Sequence, residues 1–162
     1  MSSDSKLPPG WDIVHLRDCG DWHGGGTPSK AMQNYWRDGT IPWISPKDMK
    51  VFRIAASEDR ITNAAVQETN VSAFPPGTVL MVIRSGILSR TFPVAVATVT
   101  ATMNQDLKGV TPFEFMTSEY LAYFLVANER RILMNCSKHG TTVASIDTGS
   151  LHHVSVKRPP IN

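Results

Sequence analysis

The stretch TVLMVIRSGILSRTFPVAVATV, residues 78–99, sets the fold class. Two apolar, β-branched runs, Thr78 to Ile83 and Phe92 to Val99, flank a polar, glycine-relieved loop running from Arg84 to Arg90. Side chains of this type fit a pleated, buried surface, so the pair is expected to form the central strands of a sheet, joined as a long-looped hairpin. Upstream, Phe74-Pro75-Pro76-Gly77 reads as a turn, because proline presets one torsion and glycine accepts a positive one. Downstream, Leu121, Phe124, Leu125, Ile132 and Leu133 recur at helical spacing, which predicts one helix from about Ser118 to Met134. Glu119 then sits near its positive end, and Arg130 and Arg131 near the other. Short strands are expected at Trp11 to Leu16, Val143 to Ile146 and Leu151 to Val156. Strands and helices are thus mixed around a strand-rich centre, an α+β arrangement in a single domain.

The remaining segments read as punctuation and anchors. Residues 1–9 form a flexible leader ending in Pro8-Pro9. The run Asp21 to Lys30, DWHGGGTPSK, is expected to be loop, since three successive glycines lose much entropy in a regular element. Tyr35-Trp36 and Ile41-Pro42-Trp43-Ile44 supply aromatic mass to tie it down. Ser45-Pro46 looks like an N-cap followed by proline at the first helical position, with Asp48 in the first turn.

Composition removes several classes of function. At 162 residues, 41% hydrophobic and 19% charged, the chain suits one ordinary domain and is too apolar for wholesale disorder. The longest apolar run, Val79 to Ile83, is far short of a membrane span. The start lacks a secretory pattern, and two cysteines, Cys19 and Cys136, give no disulfide framework, so a reducing cytoplasm is the expected compartment. The net charge of +2 is unevenly placed: residues 1–83 carry 8 Lys/Arg and 9 Asp/Glu (−1), residues 84–162 carry 8 and 5 (+3). Between Glu68 and Asp106 the only charged side chains are Arg84 and Arg90. A buried sheet edged by two arginines explains this, and so does an edge that meets an anion.

Catalytic patterns are weak. Cys136 stands three residues before His139, and His152-His153 follow, but a cysteine nucleophile needs a base held within hydrogen-bond reach and this spacing does not single one out. Cys19, His23, Cys136, His139, His152 and His153 show neither CxxC nor HExxH spacing, so no metal site is expected. Gly24-Gly25-Gly26-Thr27 is not followed by Gly-Lys-Ser/Thr, and no GxGxxG occurs. No Asn-Pro-Pro-Tyr type motif is found either.

A set of ordered segments is more specific. Trp11 to Leu16 is followed by Gly25-Gly26-Thr27-Pro28-Ser29, Tyr35-Trp36, Gly39 and Ile41-Pro42-Trp43. Then come Gly77-Thr78-Val79-Leu80, Arg84-Ser85-Gly86 and Asn104-Gln105-Asp106-Leu107. Last are His139-Gly140-Thr141-Thr142-Val143, Val154-Ser155-Val156 and Pro159-Pro160. In this order, over about residues 10–160, the chain resembles a target recognition domain of a type I restriction-modification specificity subunit. The resemblance implies that Gly25, Gly26, Thr27, Pro28, Trp36, Trp43, Asn104 and Gln105 are structural motif positions. It also implies a non-catalytic module that binds double-stranded DNA and reads one half of a bipartite site. Methyltransferase and restriction subunits would be its partners, with adenine methylation, S-adenosylmethionine and cleavage all belonging to them. The chain ends at Arg158-Pro159-Pro160-Ile161-Asn162, where such subunits run on into a spacer helix. It is therefore expected to be one recognition domain of a longer subunit, with residues 161–162 at the start of a truncated spacer. A protein-interaction or regulatory domain on the same fold is the alternative.

Three segments offer the cations, amides and hydroxyls that a duplex reader needs. Lys47, Lys50 and Arg53 follow the capped turn and suit either a solvated surface or a phosphate clamp. Arg84, Ser85, Ser89 and Arg90 lie on the loop between the two best strands, and arginine can grip guanine in a bidentate fork. Lys138, His139, Thr141 and Thr142 flank Gly140, which also suits a helix C-cap. Arg84 and Arg90 are expected to set discrimination if they touch bases, and Lys47 and Lys50 to contribute to affinity for any duplex.

Overall fold

The computed structural model describes residues 6–161. In chain order the strands are β1 (Asp12–His15), β2 (Gly20–Gly24), β3 (Ile41–Ile44), β4 (Arg53–Ile54), β5 (Asp59–Ile61), β6 (Val79–Val82), β7 (Val94–Ala97), β8 (Thr102–Met103), β9 (Leu107–Pro112), β10 (Ser137–Lys138), β11 (Ser145–Ile146) and β12 (Ser155–Arg158). The α-helices are α1 (Gln33–Trp36), α2 (Asn63–Glu68), α3 (Ser118–Ala127), α4 (Glu129–Cys136) and α5 (Thr148–His152). The mixed α+β class read from the sequence is therefore the observed one.

The hairpin of β6 and β7 lies at the centre of a five-stranded sheet ordered β2-β9-β6-β7-β4. Every residue of β6 and β7 is buried, as a strand covered on both faces requires. Helix α3 packs against β6, β7 and β9, burying Leu121, Ala122 and Leu125. A smaller sheet, β5-β3-β8, carries a second cluster of Tyr35, Trp43, Ile61, Ala65 and Val71. The ends of the described chain meet, because β1 pairs antiparallel with β12 from Asp12↔Arg158 to His15↔Ser155. No helix among the described residues is long and apolar enough to cross a membrane.

Four expectations change. The predicted helix from Ser118 to Met134 is two helices, broken at Asn128, whose side-chain amide donates to the Phe124 carbonyl at 2.8 Å. Arg130 and Arg131 consequently sit in the first turn of α4 rather than at a C-terminus. Leu151 lies in α5, capped by Asp147, whose carboxylate accepts from the Ser150 amide at 2.9 Å; only Ser155 to Arg158 is strand. Strand β11 is shorter than expected, leaving Val143 outside it. The glycine-rich loop begins later, because Gly20 to Gly24 pairs with β9 as an edge strand. Glycine is required at Gly20 itself, where a Cβ would lie 2.0 Å from the Thr111 carbonyl oxygen. Of the expected leader, residues 1–5 lie outside the described residues, and the Pro8 carbonyl accepts from the Trp11 amide at 3.1 Å. Asn162, from the expected spacer start, also lies outside them.

The β1–β12 ribbon carries a bidentate ion pair, with Arg158 Nε donating to Asp12 Oδ1 at 2.7 Å and the second guanidinium nitrogen to Oδ2. The guanidinium holds the Asp12 carboxyl below its ordinary range. A depressed folded-state value gives stability that is present above the unfolded value and lost as pH falls through the folded one. Asp12→Asn should therefore lower the unfolding midpoint near neutral pH, with the gap to the parent closing as pH drops into the acid range. Denaturant titrations at several pH values would show this, and a gap independent of pH would refute it.

Candidate nucleic-acid interface

Two of the three cation-bearing segments come together. After β6 the chain runs alongside β11, with the Ile146 amide donating to the Ile83 carbonyl at 2.8 Å and the Ser85 amide to the Ala144 carbonyl at 3.0 Å. Arg84 and Ser145 face each other in an isolated antiparallel bridge. From the other side the Asp106 carbonyl accepts from the amides of Ile83 at 2.8 Å and Arg84 at 3.3 Å. The backbone at Arg84 is thus clamped between the 137–146 ribbon and the Asn104-Gln105-Asp106 turn.

The loop from Arg84 to Arg90 is itself ordered. Its centre is a 3₁₀ turn, Gly86–Ser89, in which the Ser85 hydroxyl accepts from the Ile87 amide at 3.4 Å and the Ser89 hydroxyl donates to the Gly86 carbonyl at 2.9 Å. Leu88 plugs into the core at 4% exposure, while Arg84 and Arg90 stay exposed. Ser85 and Ser89 therefore spend hydroxyl bonds on shaping the turn. At its far end the Phe92 amide donates to the Glu129 carboxylate at 2.7 Å, tying the loop to the start of α4.

The third segment, β10–β11 with its tip, forms a short ribbon in register Ser137↔Ile146 and Lys138↔Ser145. Gly140 turns the tip at φ +78, and His139, Thr141, Thr142 and Val143 are exposed around it. The ribbon divides two open recesses. One, of about 430 Å³, is lined by Arg84, Gln105, Lys138, Thr141, Thr142 and Val143, among others. The other, of about 520 Å³, has Arg90, Arg130 and Lys138 around apolar walls from Leu88, Leu133 and Met134. Among the described residues Arg84, Arg90, Arg130 and Lys138 form no ion pair. The carboxylates nearby are Glu129, held by the Phe92 amide; Asp106, in a recess it lines with Pro46 and Arg84; and Asp147, whose carboxyl is held below its ordinary range by the Ser150 hydroxyl and amide and, to a lesser degree, by Lys138.

Sequence reasoning did not place Arg130 here, because a continuous helix would have put it near a C-terminus. The signal for it is Asn128, a poor helix former four residues after Phe124. Gln105, a structural motif position by the resemblance, also lines the recess beside Arg84.

The segment Lys47, Lys50 and Arg53 is arranged differently. The capped turn forms as expected, with the Ser45 amide donating to Asp48 Oδ2 at 3.0 Å. Lys47, however, is engaged by Asp59 at 2.7 Å and Glu58 at 3.4 Å, and Asp59 raises the affinity of its ammonium for the proton. Arg53 begins β4 and lies over the Phe52 ring, 5.2 Å from its centroid. Lys50 remains exposed.

The motif residues build the support under this face. Trp36 and Trp43 meet edge to face at 5.1 Å, and their indole N–H groups donate to the Ser29 carbonyl at 3.0 Å and the Gly26 carbonyl at 2.9 Å. The Lys30 ammonium sits 3.9 Å from the Trp36 ring centroid, covering a face that a base would otherwise stack on. Pro28 is buried. The Thr27 hydroxyl donates to Gln105 Oε1 at 2.6 Å, and the Asn104 side chain accepts from the Asp106 amide at 3.0 Å. The glycine-rich loop and the Asn-Gln-Asp turn are therefore one unit.

The thiol chemistry weighed from the sequence finds no support in this geometry. Cys136 is 2% exposed, and burial together with Asp147 pushes its thiol up; burial pushes Cys19 up to about 12. Neither is a poised thiolate. Among the described residues no group of three or more His, Cys, Asp or Glu side chains is placed to hold a metal ion.

A family model described as type I restriction modification DNA specificity domain matches residues 8–162. The type I restriction enzyme EcoR124I/EcoR124II specificity subunit of Escherichia coli is 41% identical over 147 residues, covering 91% of this chain and 36% of that protein. The MjaIX specificity subunit of Methanocaldococcus jannaschii is 33% identical over 157 residues, covering 95% of this chain and 35% of its own. Among solved structures, the HsdS subunit from Thermoanaerobacter tengcongensis superposes with a TM-score of 0.67 at 22% identity over 98% of this chain and 35% of that one. A chain from a study of assembly and conformational transition in the type I R-M system gives 0.73 at 21% identity, over 99% and 37%. The chain thus spans about a third of the length of the curated relatives it matches. On the match across residues 8–162, this chain belongs to the family of type I restriction modification DNA specificity domains.

Proposed function

We propose that this domain binds double-stranded DNA sequence-specifically, reading one half of a bipartite site for a type I restriction-modification complex. The observation that carries the reading is the convergence of the Arg84–Arg90 loop and the 137–146 ribbon into one face. That face holds four cations that form no ion pair among the described residues, on a braced backbone. Cations left without carboxylate partners meet phosphates at little cost, and a rigid loop positions side chains at base edges. In this reading the chain is non-catalytic. Partner methyltransferase subunits supply adenine methylation with S-adenosylmethionine, a restriction subunit supplies cleavage, and the complex works in the cytoplasm. The interaction-domain alternative gains nothing from the family match.

The test is selection of bound duplexes from a randomised pool, at low and at raised salt, with sequencing of what is retained. A short enriched motif of about three to five base pairs is expected, with affinity falling steeply as salt rises because counterions are released from the phosphates. Retention without enrichment, or no retention by a folded chain, would defeat the proposal.

A further inference from the structure

Resting on that reading, we infer that the 137–146 ribbon is the element that enters the major groove, and that it separates base reading on one side from phosphate holding on the other. A major groove about 12 Å wide admits either a helix or a two-stranded ribbon, whose strands lie about 5 Å apart. Helix α4 is poorly placed to enter: it has eight residues, with Ile132 and Cys136 buried and Leu133 packed against the core. The ribbon has what a groove reader needs. Its base is fastened by the Ser85 and Ile146 amides and by the Asp147 amide, which donates to the Cys136 carbonyl at 2.6 Å. Its tip, residues 139–143, is exposed throughout.

The two flanks differ in chemistry. Beside Arg84 the recess is polar, with Gln105, Thr141, Thr142 and Val143, and Lys138 borders it as well as the other recess. The Thr141 hydroxyl donates to the Val143 carbonyl at 2.7 Å, whereas His139 and Thr142 make no side-chain hydrogen bond among the described residues. Val143, an apolar side chain at 38% exposure on the tip, suits contact with a thymine methyl. Beside Arg90 the recess presents Arg90, Arg130 and Lys138 over apolar walls, with Ser89, Ser137 and Ser145 also in its lining; the Ser89 and Ser137 hydroxyls donate to the Gly86 and Leu133 carbonyls, and the one carboxylate, Glu129, is held by the Phe92 amide. Cations over apolar walls, where two of the three neighbouring serine hydroxyls are turned to backbone carbonyls, recognise charge rather than base identity. The ribbon tip therefore specifies, and Arg90, Arg130 and Lys138 hold the backbone in register.

The experiment is the same duplex selection on the 162-residue chain and on His139→Ala, Val143→Ala and Arg130→Ala, each confirmed folded by circular dichroism. All three side chains are exposed, so the fold is expected to tolerate the changes. His139→Ala and Val143→Ala should each lose preference at one or two adjacent positions by roughly tenfold or more, keeping the parent's salt dependence. Arg130→Ala should keep the motif, weaken every duplex alike and lower the salt slope by about one. Unchanged motifs in both tip variants, or an altered motif in Arg130→Ala, would overturn the inference. A parent chain that enriches no motif would overturn the DNA reading itself, and this inference with it.

Discussion

Gly25→Ala is expected to cost the domain a large share of its stability, whereas Gly24→Ala, one residue earlier, should cost almost nothing. A Cβ at residue 25 would lie 2.0 Å from the Asn104 carbonyl oxygen and 2.5 Å from the Met103 one. Both obstacles are backbone, so no rotamer change relieves them. The Gly26 amide donates to that same Met103 carbonyl at 3.1 Å, so the loop cannot move off without breaking a bond. Overpacking against a braced backbone should fall at or beyond the upper end of about 1–3 kcal/mol. At residue 24 an added Cβ meets nothing within 4 Å, and replacing a strand glycine there should be neutral to slightly stabilising. Denaturant unfolding of the two variants decides this, and equal midpoints would sink it. Because residue 25 packs on the turn that carries Gln105, any folded fraction of Gly25→Ala should also bind DNA more weakly than Gly24→Ala does.

The second large effect is expected at Phe92. Its ring is 2% exposed in the main core, and its amide is the point where the Arg84–Arg90 loop is fastened to Glu129. Phe92→Ala should cost about 3–5 kcal/mol, from lost burial and the cavity left behind. Phe92→Leu keeps most of the volume and the amide, and should lose about 1.5 kcal/mol or less. A variant chain with alanine that unfolds at the parent's denaturant midpoint would contradict the packing described.

The parts legible in the sequence were those whose determinants are local. The central hairpin is written in two β-branched runs, and the turn after Ser45 in a serine, a proline and an aspartate at capping distance. What escaped depends on partners far along the chain. Gly20 to Gly24 has the composition of a loop and becomes a strand because β9, some ninety residues later, lies alongside it. Apolar spacing lapses over Asn128 to Arg131 and resumes in phase at Ile132 and Leu133, so the competition of the Asn128 side chain for the Phe124 carbonyl is what marks the break. That break moves Arg130 into the face formed by the ribbon and the loop. For the site, the cations are visible as residue types, but nothing local announces that Asp59 occupies Lys47 while Arg84 and Lys138 form no ion pair among the described residues.

The pairing of β1 with β12 carries one more consequence. Gly10 approaches Pro160 so closely that an added Cβ would lie 3.4 Å from two atoms of the proline ring. The polypeptide therefore enters and leaves this body at a single doorway, locked by Asp12 and Arg158. A body with adjoining ends can be spliced between two segments of a host polypeptide while hardly moving them apart, much as a cartridge seats in a holder. The join to any such host runs through β1 and β12 alone, in a sheet separate from the Arg84–Arg90 loop and the 137–146 ribbon.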